Sequence, residues 1–223
     1  MSKTHTIITE QTRNAGNRLI LLIPKDYKGQ GSSLNDLVRT ADELGIEFYD
    51  KELLSRAAKD SKICKELFET HDEKPTNSFL YSLVMDTYSM GFASGSVNEM
   101  PLNHKIFLAQ FDAIKKIAEE GPCVLVGRCA DYVLKEFDHV ISLFFYAPRE
   151  DCIRRVQEIS SEPEKEIIKK IEKTDKYRAE YYRYYTGKEW NDARNYDFCL
   201  NTTSMSYEKL VEVVKSYIDI CRK

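Results

Sequence analysis

The stretch Val124-Leu-Val-Gly-Arg-Cys-Ala-Asp-Tyr-Val-Leu134 decides the fold. Three apolar residues read as a buried strand that empties onto Gly127 and Arg128, and Asp131, Tyr132 and Leu134 read as a helix start. In open α/β sheets the carboxyl edge of the strands is where ligands sit. An arginine there suits a phosphate or carboxylate, because its planar fork makes two parallel charge-assisted bonds. The same residues also admit a plainer reading, an Arg–Asp pair that only caps a helix.

Working outward, Leu19-Ile-Leu-Leu-Ile23 is a short apolar run suited to a buried parallel strand. Residues 24–33 form a loop with two glycines and two hydroxyls, and Leu34, Leu37, Val38, Ala41 and Leu44 follow at helical spacing up to a stop at Gly45. Residues 46–49 return as a strand, and Asp50 is placed to cap a helix over 51–59. Residues 61–120 are helix-rich. Ser61 and Asn103 are candidate caps, 91–98 reads as a loop between helices, and an amphipathic face from Ile106 to Ile117 ends at Gly121. Strands at 123–127, 140–146 and 197–200 then alternate with helices to about 136, from Pro148, from 161–164 and over 206–221. The expected architecture is α/β: a doubly wound five-stranded parallel sheet flanked by helices, with 61–120 inserted beside it.

Composition narrows the function. The 223 residues fit one domain, 17–223, behind an extension over 1–16, and can bury a core without disulfides or metals. With 33 basic and 36 acidic residues there is no electrostatic case for a nucleic-acid partner. Neither cysteines nor histidines show a zinc spacing, and Cys123 and Cys199, within apolar runs, read as buried thiols of a reducing cytoplasm. No apolar run reaches the ~20 residues of a membrane span, and 1–16 lack a signal-peptide core. A cytoplasmic protein with no membrane partner is expected.

Two further stretches bear on chemistry. Gly29-Gln-Gly-Ser-Ser33 stands where a phosphate-binding loop would stand, between a first strand and a first helix. It departs from G-x-x-x-x-G-K-[ST], with Asp26 in place of the first glycine and Ser32 in place of the lysine. Gly29, Gly31, Ser32, Ser33 and Lys28 are the candidate cofactor-binding residues, Lys25 an alternative charge, and Ser33 the candidate magnesium ligand. On the motif alone, the plainer reading is a simple strand–helix connection. In the helix near 165–186, Asp175 and Arg178 share a face, and Arg154 and Arg155 on the preceding helix could converge with them. Clustered arginines suit phosphoryl transfer; the plainer reading is a solvated helix whose tyrosines pack its inner face. Those tyrosines (177, 181, 182, 184 and 185) would also suit stacking on single strands, but the near-neutral charge opposes it.

Taken together, Gly121 to Leu134, Tyr146-Ala-Pro148, Asp175-Lys-Tyr-Arg-Ala-Glu-Tyr-Tyr182, Thr186-Gly-Lys-Glu-Trp190 and Asn195-Tyr-Asp-Phe-Cys-Leu-Asn-Thr202 strongly resemble the signature of the bacterial cytidylate-kinase-like proteins. Phe48-Tyr-Asp-Lys-Glu-Leu-Leu54 is similar to the segment after that family's second strand, and the resemblance covers about 17–220. It implies a nucleoside-monophosphate-kinase fold of the P-loop type. The stretch 61–120 would be the monophosphate-binding insertion and about 150–190 an arginine-rich lid. Arg128 matches the arginine that holds the monophosphate, with Asp50 and Asp131 counted beside it as candidate substrate contacts. Asp175 and Arg178 match the lid pair D-x-x-R, and Arg154 a lid-side arginine; with Arg128 these are the candidate catalytic residues. Family members commonly show R-E-Y-G-S-G-G-R in the glycine loop, and this chain departs even from that. The implied function is ATP-dependent phosphoryl transfer, with Mg2+, onto CMP or a similar monophosphate. Two alternatives stand: a pseudokinase that binds nucleotide or a protein partner as a regulator, and a kinase for another small phosphoacceptor.

Overall fold

The computed structural model describes residues 20–23, 41, 45–61, 102–138, 140–203 and 205–221. Five short strands are described: β1 (Ile20–Ile23), β2 (Glu47–Tyr49), β3 (Cys123–Val126), β4 (Val140–Tyr146) and β5 (Phe198–Asn201). With them go helices α1 (Lys51–Ser61), α2 (Leu102–Glu120), α3 (Ala130–Val133), α4 (Arg149–Ile159), α5 (Glu164–Thr186) and α6 (Tyr207–Cys221). The extension over 1–16, the loop 24–33, most of the helix read over 34–44, and the part of the insertion over 62–101 lie outside the described residues.

All strand pairs are parallel, in two ladders that share β4. One joins β2, β3, β1 and the first half of β4; the other pairs Leu143–Tyr146 with Phe198–Asn201 of β5. The order across is β2-β3-β1-β4-β5, so the first strand lies in the middle. Asp197 pins β4 where it changes ladder. Its Oδ2 accepts from the Ser142 backbone N–H at 2.7 Å and the Ser142 hydroxyl at 2.8 Å.

Side chains of β3 alternate between two cores, as the two-residue period of a strand requires. Cys123 and Leu125 face Leu53 of α1, Phe107, Phe111, Ile114 and Ile117 of α2, and Tyr181, Tyr182 and Tyr185 of α5. Val124 faces the other way, with Ile141 and Leu143 of β4 and Val214 and Ile218 of α6. Apolar helices therefore cover both faces of β3, which accounts for its complete burial. Burial pushes the Cys123 thiol up to about 12, so it acts as a small hydrophobe. Cys199, read as buried, is only half-buried, because β5 is an edge strand of the order.

Local signals placed most boundaries. Gly45 has φ 64°, and the Ile46 N–H reaches the Ala41 carbonyl at 3.0 Å, the bond that closes a helix at a left-handed glycine. Pro148 and Pro163 stand immediately before α4 and α5. Two expectations are corrected. Ser61, read as a helix cap, lies within α1, its hydroxyl turned back to the Ala58 carbonyl at 3.5 Å. The helix after Gly127 ends at Val133 rather than near 136, since Leu134 leaves helical geometry with φ −102°.

Candidate active site at the carboxyl edge of the sheet

Register explains why Arg128 sits where it does. Tyr49 of β2 is level with Leu125, and Ile23 at the end of β1 is level with Val126. Strands β1, β2 and β3 thus end side by side, and residues just past them meet. The Arg128 Nη1 donates to Asp50 Oδ1 at 3.1 Å and to the Val126 carbonyl at 3.0 Å. Both side chains are buried, at 1% and 5% exposure, so this is an ion pair shielded from solvent.

The turn carrying it has an uncommon backbone. Gly127, Arg128 and Cys129 are consecutive left-handed residues, with φ of 71°, 54° and 55°. Only glycine adopts that conformation freely; each of the other two costs on the order of 1 kcal/mol. Such strain persists where tertiary contacts over-determine it, and it clusters at ligand clamps and active sites. The short α3 begins from this turn with no side-chain cap. The plainer reading of the stretch, an Arg–Asp cap within it, does not hold. Arg128 pairs with Asp50 of the neighbouring strand, and Asp131 accepts from the Tyr182 hydroxyl of α5 at 2.5 Å. Burial holds the Asp131 carboxyl above its ordinary value, with the Tyr182 hydrogen bond pulling the other way.

The remaining candidates are placed as follows. Arg178 is buried on α5 and Asp175 is half-buried one turn earlier. Arg154 is exposed on α4 and pairs with Asp151 at 2.5 Å. Arg155 anchors the other side of α4, donating to the Thr202 carbonyl at 2.7 Å and its hydroxyl at 3.2 Å. The two α4 arginines therefore have separate anchors. Gly29, Gly31, Ser32, Ser33 and Lys28, with Lys25 and Asp26, lie outside the described residues. Among the described residues no group of three His, Cys, Asp or Glu side chains is arranged to hold a metal ion.

The tyrosine-rich half of α5 is packed as the plainer reading of that helix has it. The Tyr185 ring stacks on Phe107 at 3.8 Å, the Tyr181 hydroxyl donates to Gln110 Oε1 at 3.3 Å, and the Tyr184 hydroxyl meets His104 Nε2 at 3.0 Å. Burial lowers the His104 pKa. The first half of α5 has a separate small core with α4, in which Val156, Ile167 and Ile171 pack with Cys152 and Ile153. Sequence reading counted Tyr182 among the packing tyrosines and gave neither it nor Tyr196 a role at the site. The signal for Tyr182 was its position four residues after Arg178, on the same helix face.

Comparison with known proteins agrees with this fold. The fold is shared with the crystal structure of shikimate kinase from Bacteroides thetaiotaomicron, at TM-score 0.52 and 13% identity over 91% of this chain and 98% of that one. A crystal structure of an uncharacterized protein from Eubacterium ventriosum ATCC 27560 is more similar. It has TM-score 0.66 and 28% identity over the same shares of the two chains. The chain belongs to the cytidylate kinase-like family, whose model matches residues 38–204. It is 28% identical to cytidylate kinase from Methanopyrus kandleri over 113 residues, 47% of this chain and 58% of that protein. A separate match, 68% identical over 62 residues, is to chromosomal hemolysin from Escherichia coli; it takes in 27% of this chain and only 6% of the hemolysin. Among the described residues no helix is long and apolar enough to cross a membrane.

Proposed function

We propose that the protein is a nucleotide kinase-like phosphotransferase whose acceptor site holds the phosphate of CMP or a similar nucleoside monophosphate. The observation that carries this reading is the buried Arg128–Asp50 pair on a strained turn at the carboxyl edge of the sheet. A guanidinium has five N–H donors in a fixed fork, which lets one arginine brace a turn and meet an anion. Arg128 holds the acceptor phosphate, Asp50 orients Arg128, and Arg178, Asp175 and Arg154 belong to the closing element. No general base is needed, since positioning and electrostatics do most of the work of phosphoryl transfer.

The donor side is weaker. ATP with Mg2+ would fall to Gly29, Gly31, Ser32, Ser33 and Lys28, with Ser33 on the metal, but this donor set does not fit the role well. Ser32 carries no charge where a P-loop lysine would neutralise the β- and γ-phosphates, and the Asp26 carboxylate repels polyphosphate. No step is therefore routed through that loop. A coupled assay of ADP release at saturating CMP and Mg·ATP is expected to give turnover well below the ordinary kinase range of roughly 1–100 s⁻¹. Turnover inside that range would refute the reading of the loop as impaired.

The second reading, a nucleotide-binding regulator without turnover, rests on the same departures at Asp26 and Ser32. The family match begins at residue 38, so it contains Arg128, Arg154, Asp175 and Arg178 but not 24–33. Within the lid proposed over about 150–190, α4 and the first half of α5 share their own small core. Amide exchange over 149–177 should be faster than over 178–186 in the free protein and should slow when CMP and Mg·ATP are added. Slow exchange in both states would make this hairpin ordinary scaffold.

A further inference from the structure

A hydrogen bond behind the β3 turn ties it to the end of α5. The buried Tyr182 donates to Asp131 at 2.5 Å, and Tyr196, after α5, donates separately to the Trp190 carbonyl at 2.6 Å. Burial, and then the neighbouring Asp131, push the Tyr182 hydroxyl far above its ordinary pKa, so it remains a donor at any working pH.

We propose that Tyr182 is a positioning residue whose bond to Asp131 locks the Arg178 face of α5 to the turn carrying Arg128. The turn is strained and α3 is a single helical turn without a side-chain cap, so its position depends on tertiary contacts. Two such contacts hold it from opposite sides: Asp50 of the β2 edge through Arg128, and Tyr182 through Asp131. Arg178 lies four residues before Tyr182 on the same helix face. Fixing Tyr182 therefore fixes the rotation of Arg178 about the helix axis relative to Arg128. In this assignment Asp131 orients the site through Tyr182 and does not itself touch the nucleotide. The functional consequence rests on the acceptor-site reading above.

Three variants of the full chain separate the possibilities. Tyr182→Phe removes one hydroxyl and keeps the ring in the core, Asp131→Ala removes the acceptor, and Asp131→Asn keeps an acceptor oxygen. Amide exchange without nucleotide is compared over 127–134 and 178–186, and CMP is titrated calorimetrically. Tyr182→Phe and Asp131→Ala are expected to speed exchange in both segments together and to weaken CMP binding by about tenfold, the scale of one hydrogen bond to a charged group. Asp131→Asn should restore both to within about threefold of the parent. Unchanged exchange over 127–134 in Tyr182→Phe would overturn the coupling. If Asp131→Asn harms CMP binding as much as Asp131→Ala while Tyr182→Phe is neutral, Asp131 contacts the nucleotide itself and the positioning role is wrong. A parent protein that binds no CMP would sink the acceptor-site reading, and the exchange comparison would still decide the role of Tyr182.

Discussion

Replacing Asp50 with alanine is expected to destabilise the protein by about 3–5 kcal/mol, because it removes the carboxylate paired with a buried guanidinium. The Arg128 and Asp50 side chains are 1% and 5% exposed, so water cannot take over the lost carboxylate. The cost is desolvation without compensation, which exceeds the net worth of the pair when both charges are present. Asp50→Asn keeps an acceptor oxygen for Nη1 and should lose less. Urea unfolding monitored by circular dichroism reads both. A loss below about 1 kcal/mol for Asp50→Ala, on the scale of an exposed pair, would mean that the Arg128 charge is balanced from elsewhere.

The second large effect is on binding. Arg128→Lys keeps the positive charge and leaves the left-handed backbone preference unchanged. It removes the planar fork that serves the Val126 carbonyl and Asp50 and that would meet the proposed phosphate. CMP affinity is expected to fall about 10–100-fold, the loss of one charge-assisted hydrogen bond. Unchanged affinity in a variant with native circular dichroism would return Arg128 to a structural part in bracing the turn.

What was legible in the chain was mostly local. The apolar run 123–126, the alternation of short apolar and amphipathic segments, and Pro148, Pro163 and Gly45 located nearly every described element to within a few residues. The order of the strands was not legible, since it depends on pairings between distant segments. The partner of Arg128 was hidden for the same reason. Asp131 is three residues away and looked like the natural choice, whereas the β2–β3 register brings in Asp50 from 78 positions away. Helix order placed Arg154 and Arg155 ahead of Arg178 without showing their anchors. Contacts with Asp151 and Thr202 could not be read from that order.

The central claim is that this chain carries a working site for the phosphate of a nucleoside monophosphate, built around Arg128. Isothermal titration of the purified parent protein with CMP, with Arg128→Lys beside it, tests it most directly. Saturable one-to-one binding by the parent, weakened at least tenfold in the variant, is the predicted result. No binding by the parent, or binding that the variant leaves untouched, would contradict it.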